Sequence, residues 1–340
     1  MKLLIITQSV DIEDPVLGFF HDWILRFAKN FDKVTVICLK KGKNNLPNNV
    51  QILSLGKEQG LSKFSYLVNF FRFIFKYIKE YDSVFVHMNE EYVVLGGIFW
   101  KLFGKKVFFW RNHKKGSFIT RLAVLFSEKV FCTSKQSFTA QFSKTHIMPV
   151  GVDTDLFSIK IPINQRGNTL LSLGRIDPVK KIDILADAFA GMGSEDFNLS
   201  IVGNSTSKHQ AHFDEIVSKL SSLKGKVLFF DSVTHKMTAD FYNKNRFFIN
   251  LTPSGSFDKT IIEAMSSGCL VFTSNEDLFP FLSSFEKVFD LKIDNLRNQI
   301  KSAFLIPSEK LTEISNHNRQ YVLENHSLDR LFSEFLKFIC

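Results

Sequence analysis

The stretch Thr252–Phe272, T-P-S-G-S-F-D-K-T-I-I-E-A-M-S-S-G-C-L-V-F, decides the fold. An apolar run over 247–251 leads into it, and a Pro/Ser/Gly/Ser turn opens it. The spacing then predicts a short helix from about Asp258 to Ser266, with Gly268 as the left-handed stop that helices favour. A second apolar run, Cys269 to Thr273, begins at once. The stretch is therefore a βαβ unit whose loop leaves the carboxyl end of a strand and opens a helix. Open α/β sheets bind their ligands at that place.

The start of such a helix presents bare N–H groups and a partial positive charge, which suits a phosphate. Lys259 adds a full charge beside Asp258 and Thr260. Glu263 lies one turn further, too far along to meet the phosphate but placed to accept from hydroxyls of an attached sugar. Thr260-x-x-Glu263 is also the spacing of a capping box, in which the carboxylate serves the helix alone. The residues by themselves leave both readings open.

Upstream, a polar segment with Pro162, Asn164, Gln165, Arg166, Gly167 and Asn168 marks a domain boundary at 150–168. Strand-like alternation restarts at Thr169–Leu173 and continues L-G-R-I-D-P-V-K-K-I-D (173–183). The strand is expected to end at Gly174, with Arg175 next, Pro178 starting a helix and Lys180 just inside it. Two cations at a strand's carboxyl end can clamp a diphosphate, Arg by paired bonds and Lys as a point charge. The competing reading is an exposed basic loop paired with Asp177 or Asp183. The run over 199–202 ends in Gly203-Asn204, and the run over 227–230 precedes Asp231-Ser232-Val233, where backbone groups can meet a nucleotide base.

The first half repeats the alternation. Runs at 3–7, 34–39, 50–53, 83–87, 106–110, 129–133 and 145–149 are separated in several places by helix-length segments, which predicts a doubly wound parallel sheet. The first loop, read as Gln8 to Leu17, has no GxGxxG, which argues against a nicotinamide-dependent dehydrogenase. Gly18 opens the next helix and either lets a ligand approach the backbone or serves a turn. His87 and His113 both follow strands, where a histidine orients a hydroxyl or moves a proton, although most isolated histidines do neither. The segment 61–81, L-S-K-F-S-Y-L-V-N-F-F-R-F-I-F-K-Y-I-K-E-Y, is aromatic and basic at helical spacing. It suits either a membrane interface or the packing of a phenylalanine-rich core, and G-I-F-W-K-L-F-G-K-K (97–106) continues its character.

At roughly 100–200 residues per domain, 340 residues suggest two domains with real cores. The net charge of +9 is uneven: residues 1–150 hold 22 Lys+Arg against 11 Asp+Glu, so the remainder is slightly acidic. No nucleic-acid motif accompanies that charge. Cys38, Cys132, Cys269 and Cys340 lie far apart without a CxxC pair, which favours free thiols in a reducing compartment over a metal site. The opening M-K-L-L-I-I-T-Q is too short an apolar run for a signal peptide, and no run is long enough to span a membrane.

Taken in order, Pro149…Gly151-Val152-Asp153…Phe157, strand-Gly174-Arg175…Lys180, Val202-Gly203 and Pro253-Ser254-Gly-Ser-Phe…Glu263-Ala264-Met265…Gly268 resemble the group 1 (family 4) glycosyltransferases over nearly the whole chain. The resemblance implies the GT-B fold, two Rossmann-like domains facing across a cleft. The expected parts are a domain over 1–150, a linker over 151–168, a donor domain over 169–320 and a helix over 321–340 returning to the first domain. It implies transfer from a nucleotide diphosphate sugar with retention of configuration, with no metal and no further cofactor. Arg175 and Lys180 would hold the diphosphate, and Glu263 the ribose. Gly18 would meet the donor and His113, in F-W-R-N-H, the transferred sugar; Gly203, Val233, Asp258, Lys259 and Thr260 complete the donor-side candidates. Where the family carries the first Glu of Glu-x7-Glu, this chain has Gly255, and Asp153-Thr-Asp155 falls in the interdomain segment and reads as structural rather than metal-binding.

The expected partners are a nucleotide sugar and a lipid-linked saccharide at an anionic membrane surface, in a cytoplasmic enzyme of bacterial surface polysaccharide synthesis. A non-catalytic relative and a nucleotide-sugar epimerase are the alternatives. The epimerase would need paired carboxylates near the anomeric centre, and none is evident.

Overall fold

The computed structural model describes every residue except 193–196, 224, 256 and 340, so Ser256 of the donor loop and the Cys340 thiol lie outside the described residues. The chain divides into two units, Met1–Met148 with residues from Leu331 onward, and Pro149–Arg330.

In the first unit the strands β1 (Lys2–Val10), β2 (Lys33–Lys41), β3 (Val50–Ser54), β4 (Ser83–His87), β5 (Lys106–Trp110), β6 (Lys129–Cys132) and β7 (Thr145–Ile147) form one parallel sheet in the order 3-2-1-4-5-6-7. Helices α1 (Phe19–Asn30), α2 (Lys63–Lys76), α3 (Glu90–Leu102) and α4 (Phe118–Phe126) connect them. The two-residue period of the strands sorts the core into two layers. Leu4, Ile6, Val84, Val86, Val107 and Phe109 face α2, α3 and α4. Phe85 and Phe131 face the other way, against Phe27 of α1 and Phe335. Strand β1 runs three residues beyond the expected Thr7, because β2 is equally long and pairs Val10 with Lys41.

The second unit holds β8 (Gly167–Leu173), α5 (Ile182–Ala190), β9 (Asn198–Val202), α6 (Gln210–Leu220), β10 (Val227–Phe230), α7 (His235–Lys244), β11 (Asn245–Asn250), α8 (Lys259–Ser266), β12 (Leu270–Thr273), α9 (Ile293–Phe304) and α10 (Ser308–Asn325). Its sheet is parallel, in the order 10-9-8-11-12. Here too alternate residues divide: Leu170, Ile201, Phe247 and Leu270 face one side, and Leu171, Val202, Phe248 and Val271 the other.

Three local expectations need correction. Pro178 opens only a single 3₁₀ turn, Pro178–Lys180, capped by Asp177, and Lys181 at φ +56° interrupts the chain before α5 begins at Ile182. Helix α8 is capped by Asp258, whose carboxylate accepts from the Thr260 N–H, so the Thr260/Glu263 capping box does not form. The tail is two helices rather than one, α10 and then α11 (Leu328–Ile339).

Candidate active site

In the second sheet the strand order reverses between β8 and β11. The chain leaves β8 through α5 toward β9, and leaves β11 through α8 toward β12. The loops after these two strands therefore diverge and leave a crevice at their carboxyl ends, the switch point of a doubly wound sheet. The strand ends themselves are crowded. A Cβ on Gly203 would lie 2.0 Å from the Gly174 carbonyl oxygen, and Gly203 has φ +141°, so only glycine fits.

A pocket at this point is lined by Ser172, Gly174, Arg175, Lys180, Ile249 and Asn250. Lys180 reaches across to Asp258, which joins the loop after β8 to the start of α8. Asp258 also accepts from Asn250 Nδ2 and Thr260 Oγ1, each at 2.9 Å. Burial would raise the Asp258 pKa, but the Lys180 ammonium and these donors outweigh it and hold the carboxyl well below its usual range. Arg175 is 57% exposed and 3.6 Å from Asp177, so its guanidinium is open to a ligand. The sequence candidates Arg175, Lys180, Asp258 and Thr260 thus share one site.

The other candidates take different surroundings. Lys259 turns away and donates to the Gly151 carbonyl, fastening α8 to the 149–152 segment. Glu263 is only 2% exposed; His235 Nε2 donates to its Oε1 at 2.8 Å and the Tyr242 hydroxyl to its Oε2 at 3.4 Å. Burial first, and the Glu263 charge second, push the Tyr242 phenol well up. Val233 packs its side chain on the core beneath α7 and α8, directly before that helix. Asn250 and His235 are the polar residues that sequence reading missed. Asn250 ends an otherwise apolar strand and His235 opens a helix after a candidate loop, signals visible only once the strand ends are known.

In the first unit, Gly18 is buried at the start of α1 with φ −55°, a conformation open to any residue, and its N–H donates to the Asp14 carbonyl at 2.9 Å. His113 is exposed, and its Nδ1 lies 3.0 Å from both the Lys115 N–H and the Lys115 carbonyl oxygen. His87 is a packing residue, stacked 4.1 Å from Phe20. Asp153 accepts from the N–H groups of Asp155 and Leu156 and so closes a turn. Among the described residues no group of three or more His, Cys, Asp and Glu gathers as a metal site.

Two parallel α/β units, one with a cation-lined switch point, have the GT-B fold. Residues 167–282 match the family Glycosyl transferases group 1, so the second unit carries a glycosyltransferase domain of that family. The fold is similar to HepE of Anabaena solved with UDP and glucose (TM-score 0.80, 16% identity, 99% of this chain and 98% of that chain covered). It is also similar to a glycosyltransferase from Rickettsia africae (TM-score 0.75, 16% identity, 99% and 98% covered). Sucrose-phosphate synthase from Thermosynechococcus elongatus is comparable (TM-score 0.77, 15% identity, 99% and 98% covered). No curated protein matches the chain significantly in sequence.

Proposed function

We propose that the chain moves a sugar from a nucleoside diphosphate sugar to a lipid-linked saccharide, with retention of configuration and without a metal ion. The setting is assembly of a bacterial surface polysaccharide at the cytoplasmic face of a membrane. The observation that carries this reading is the meeting of Arg175, Lys180 and the start of α8 at one switch point. HepE, of the same fold, was solved with UDP and glucose.

As the bond from the anomeric carbon to the diphosphate breaks, negative charge gathers on the leaving oxygen. Arg175 and Lys180 stand ready for it, the role a divalent cation fills elsewhere. The departing oxygen takes the proton of the acceptor hydroxyl while that hydroxyl's oxygen bonds to the anomeric carbon on the same face. Glu263 enters as a ribose contact on the strength of the resemblance alone, since His235 and Tyr242 enclose its carboxylate. Gly18 and His113 enter as donor contacts on the strength of the resemblance alone.

Two measurements test the proposal. A thermal-shift screen against UDP, GDP, ADP and their sugars should show one nucleotide raising the melting temperature. Arg175→Ala should lower turnover by about 10²- to 10³-fold with an unchanged melting temperature, since the side chain is exposed. Near-normal turnover in that variant would remove the clamp.

A further inference from the structure

The outer faces of α2, α3 and α4 carry apolar side chains that nothing in the unit covers. The three helices form one layer on one face of the first sheet. Phe99 of α3 packs against Phe71 and Phe75 of α2, at 5.8 and 5.0 Å between ring centroids. On the other side of α3, a Cβ on Gly97 would touch Phe126 of α4. Of the fourteen residues of α2, only Phe70 and Ile74 are buried. Phe64 is 74% exposed, Leu102 76% and Phe118 73%, with Val68, Phe75 and Phe103 also exposed. A core-packing role for the 61–81 segment accounts for Phe70, Ile74 and Tyr81, with Phe71, Phe73, Tyr77 and Ile78 packed beside them, and leaves Phe64, Leu67, Val68 and Phe75 unexplained.

Charge identifies what covers them. Residues 61–129 contain 12 Lys+Arg against 5 Asp+Glu. The exposed Lys63, Arg72, Lys76, Lys101 and Arg121 lie on the same three helices as the bare apolar side chains. Two of the five acids are already engaged, Glu80 with Lys33 and Glu90 with Arg111. Aromatic and aliphatic side chains interleaved with long cations match an anionic bilayer surface: the rings enter the headgroup boundary while the cations meet lipid phosphates. No helix among the described residues is long and apolar enough to cross a membrane, so the layer lies on it rather than through it.

We infer that the α2–α3–α4 layer is a docking surface for an anionic lipid bilayer. The inference deepens the lipid-linked acceptor reading, but vesicle binding is measured without donor or acceptor, so failure of docking and failure of transfer are separately visible.

The test is flotation of the full chain with vesicles of phosphatidylglycerol and phosphatidylcholine, and of phosphatidylcholine alone, at low and at physiological salt. The expected result is binding to the anionic vesicles at least tenfold stronger than to the neutral ones, weakening with salt. Leu102→Glu/Phe103→Glu and, separately, Lys63→Glu/Lys76→Glu should each lower it at least tenfold. All four residues are exposed, and an unchanged melting temperature together with an unchanged nucleotide-induced thermal shift shows that each variant is folded. No binding to anionic vesicles at low salt overturns the inference. So does binding that both variants retain, or a concentration-dependent dimer whose formation the Leu102→Glu/Phe103→Glu variant abolishes.

Discussion

Lys180 and Asp258 pose a question of charge at the proposed donor site. A diphosphate would gain more from a free ammonium than from one already paired, yet the pair is what joins the two loops. Both side chains are mostly buried, so removing one partner strands the other. Lys180→Met is expected to cost about 2–3 kcal/mol because Asp258 then keeps only neutral donors. In an Asp258→Asn background, which retains a good helix cap, the same change should cost about 1 kcal/mol or less. Urea unfolding midpoints of the four proteins measure the coupling, and equal losses in both backgrounds would show there is none. Asp258→Asn alone should bind the preferred nucleoside diphosphate several-fold more tightly, read by titration, because it frees the Lys180 charge.

Asp258 also shows where residue-level reading stops. The turn chemistry and the stop at Gly268 were legible, and Gly268 does take φ +77°. That Asp258 rather than Thr260 would cap α8 was not, because both residue types cap helices and the choice depends on where Lys180 and Asn250 approach from.

At the scale of elements, the 149–152 segment is docked on the end of α10. The N–H groups of Gly151 and Val152 donate to the His326 carbonyl, and the Val150 N–H donates to His326 Nδ1 at 3.3 Å. Nε2 then carries the proton and faces the Tyr321 hydroxyl at 3.1 Å, so the ring is neutral. Burial pushes its pKa down to about 4 from the ordinary value of 6.5. A base with a lowered folded-state pKa binds more protons when unfolded, so its contribution is full above about pH 6.5 and is lost as pH falls toward 4. The loss should reach about 3 kcal/mol at pH 4. Urea midpoints at pH 7 and pH 4.5 should fall less in His326→Gln than in the native chain. An identical fall would assign the acid sensitivity elsewhere.

The elements were otherwise the most legible level. Strand runs such as 83–87 and 106–110 coincide with β4 and β5, because a strand buried on both faces is a nearly continuous apolar run. The helix expected at Pro178 failed for a local reason, the left-handed turn at Lys181, which no β-branched or glycine signal announces.

On the scale of the whole molecule, the end of the chain completes the unit that its beginning builds. Phe335 sits among Trp23, Phe85, Trp110 and Phe131, with ring centroids 5.1 to 5.7 Å away. It therefore belongs to the core of residues more than two hundred positions earlier. Phe335→Ala should destabilise the first unit by about 3–5 kcal/mol, followed by the fluorescence of the adjoining tryptophans during urea unfolding. An unaltered midpoint would mean that α11 is dispensable to that core. The uneven charge belongs to this scale as well, with 22 Lys+Arg against 11 Asp+Glu in residues 1–150.

By itself the sequence determined two parallel α/β sheets and the loops that end at their carboxyl edges, because strand burial, turn residues and helix stops act over a few neighbouring positions. Only the tertiary structure decided that Lys180 meets Asp258, that Glu263 is enclosed by His235 and Tyr242, that Lys259 serves Gly151, and which side chains of α2–α4 stay bare. Those outcomes depend on contacts between residues far apart in the chain, whose geometry is settled when the strands take their order in the sheet, and local periodicity carries no record of it.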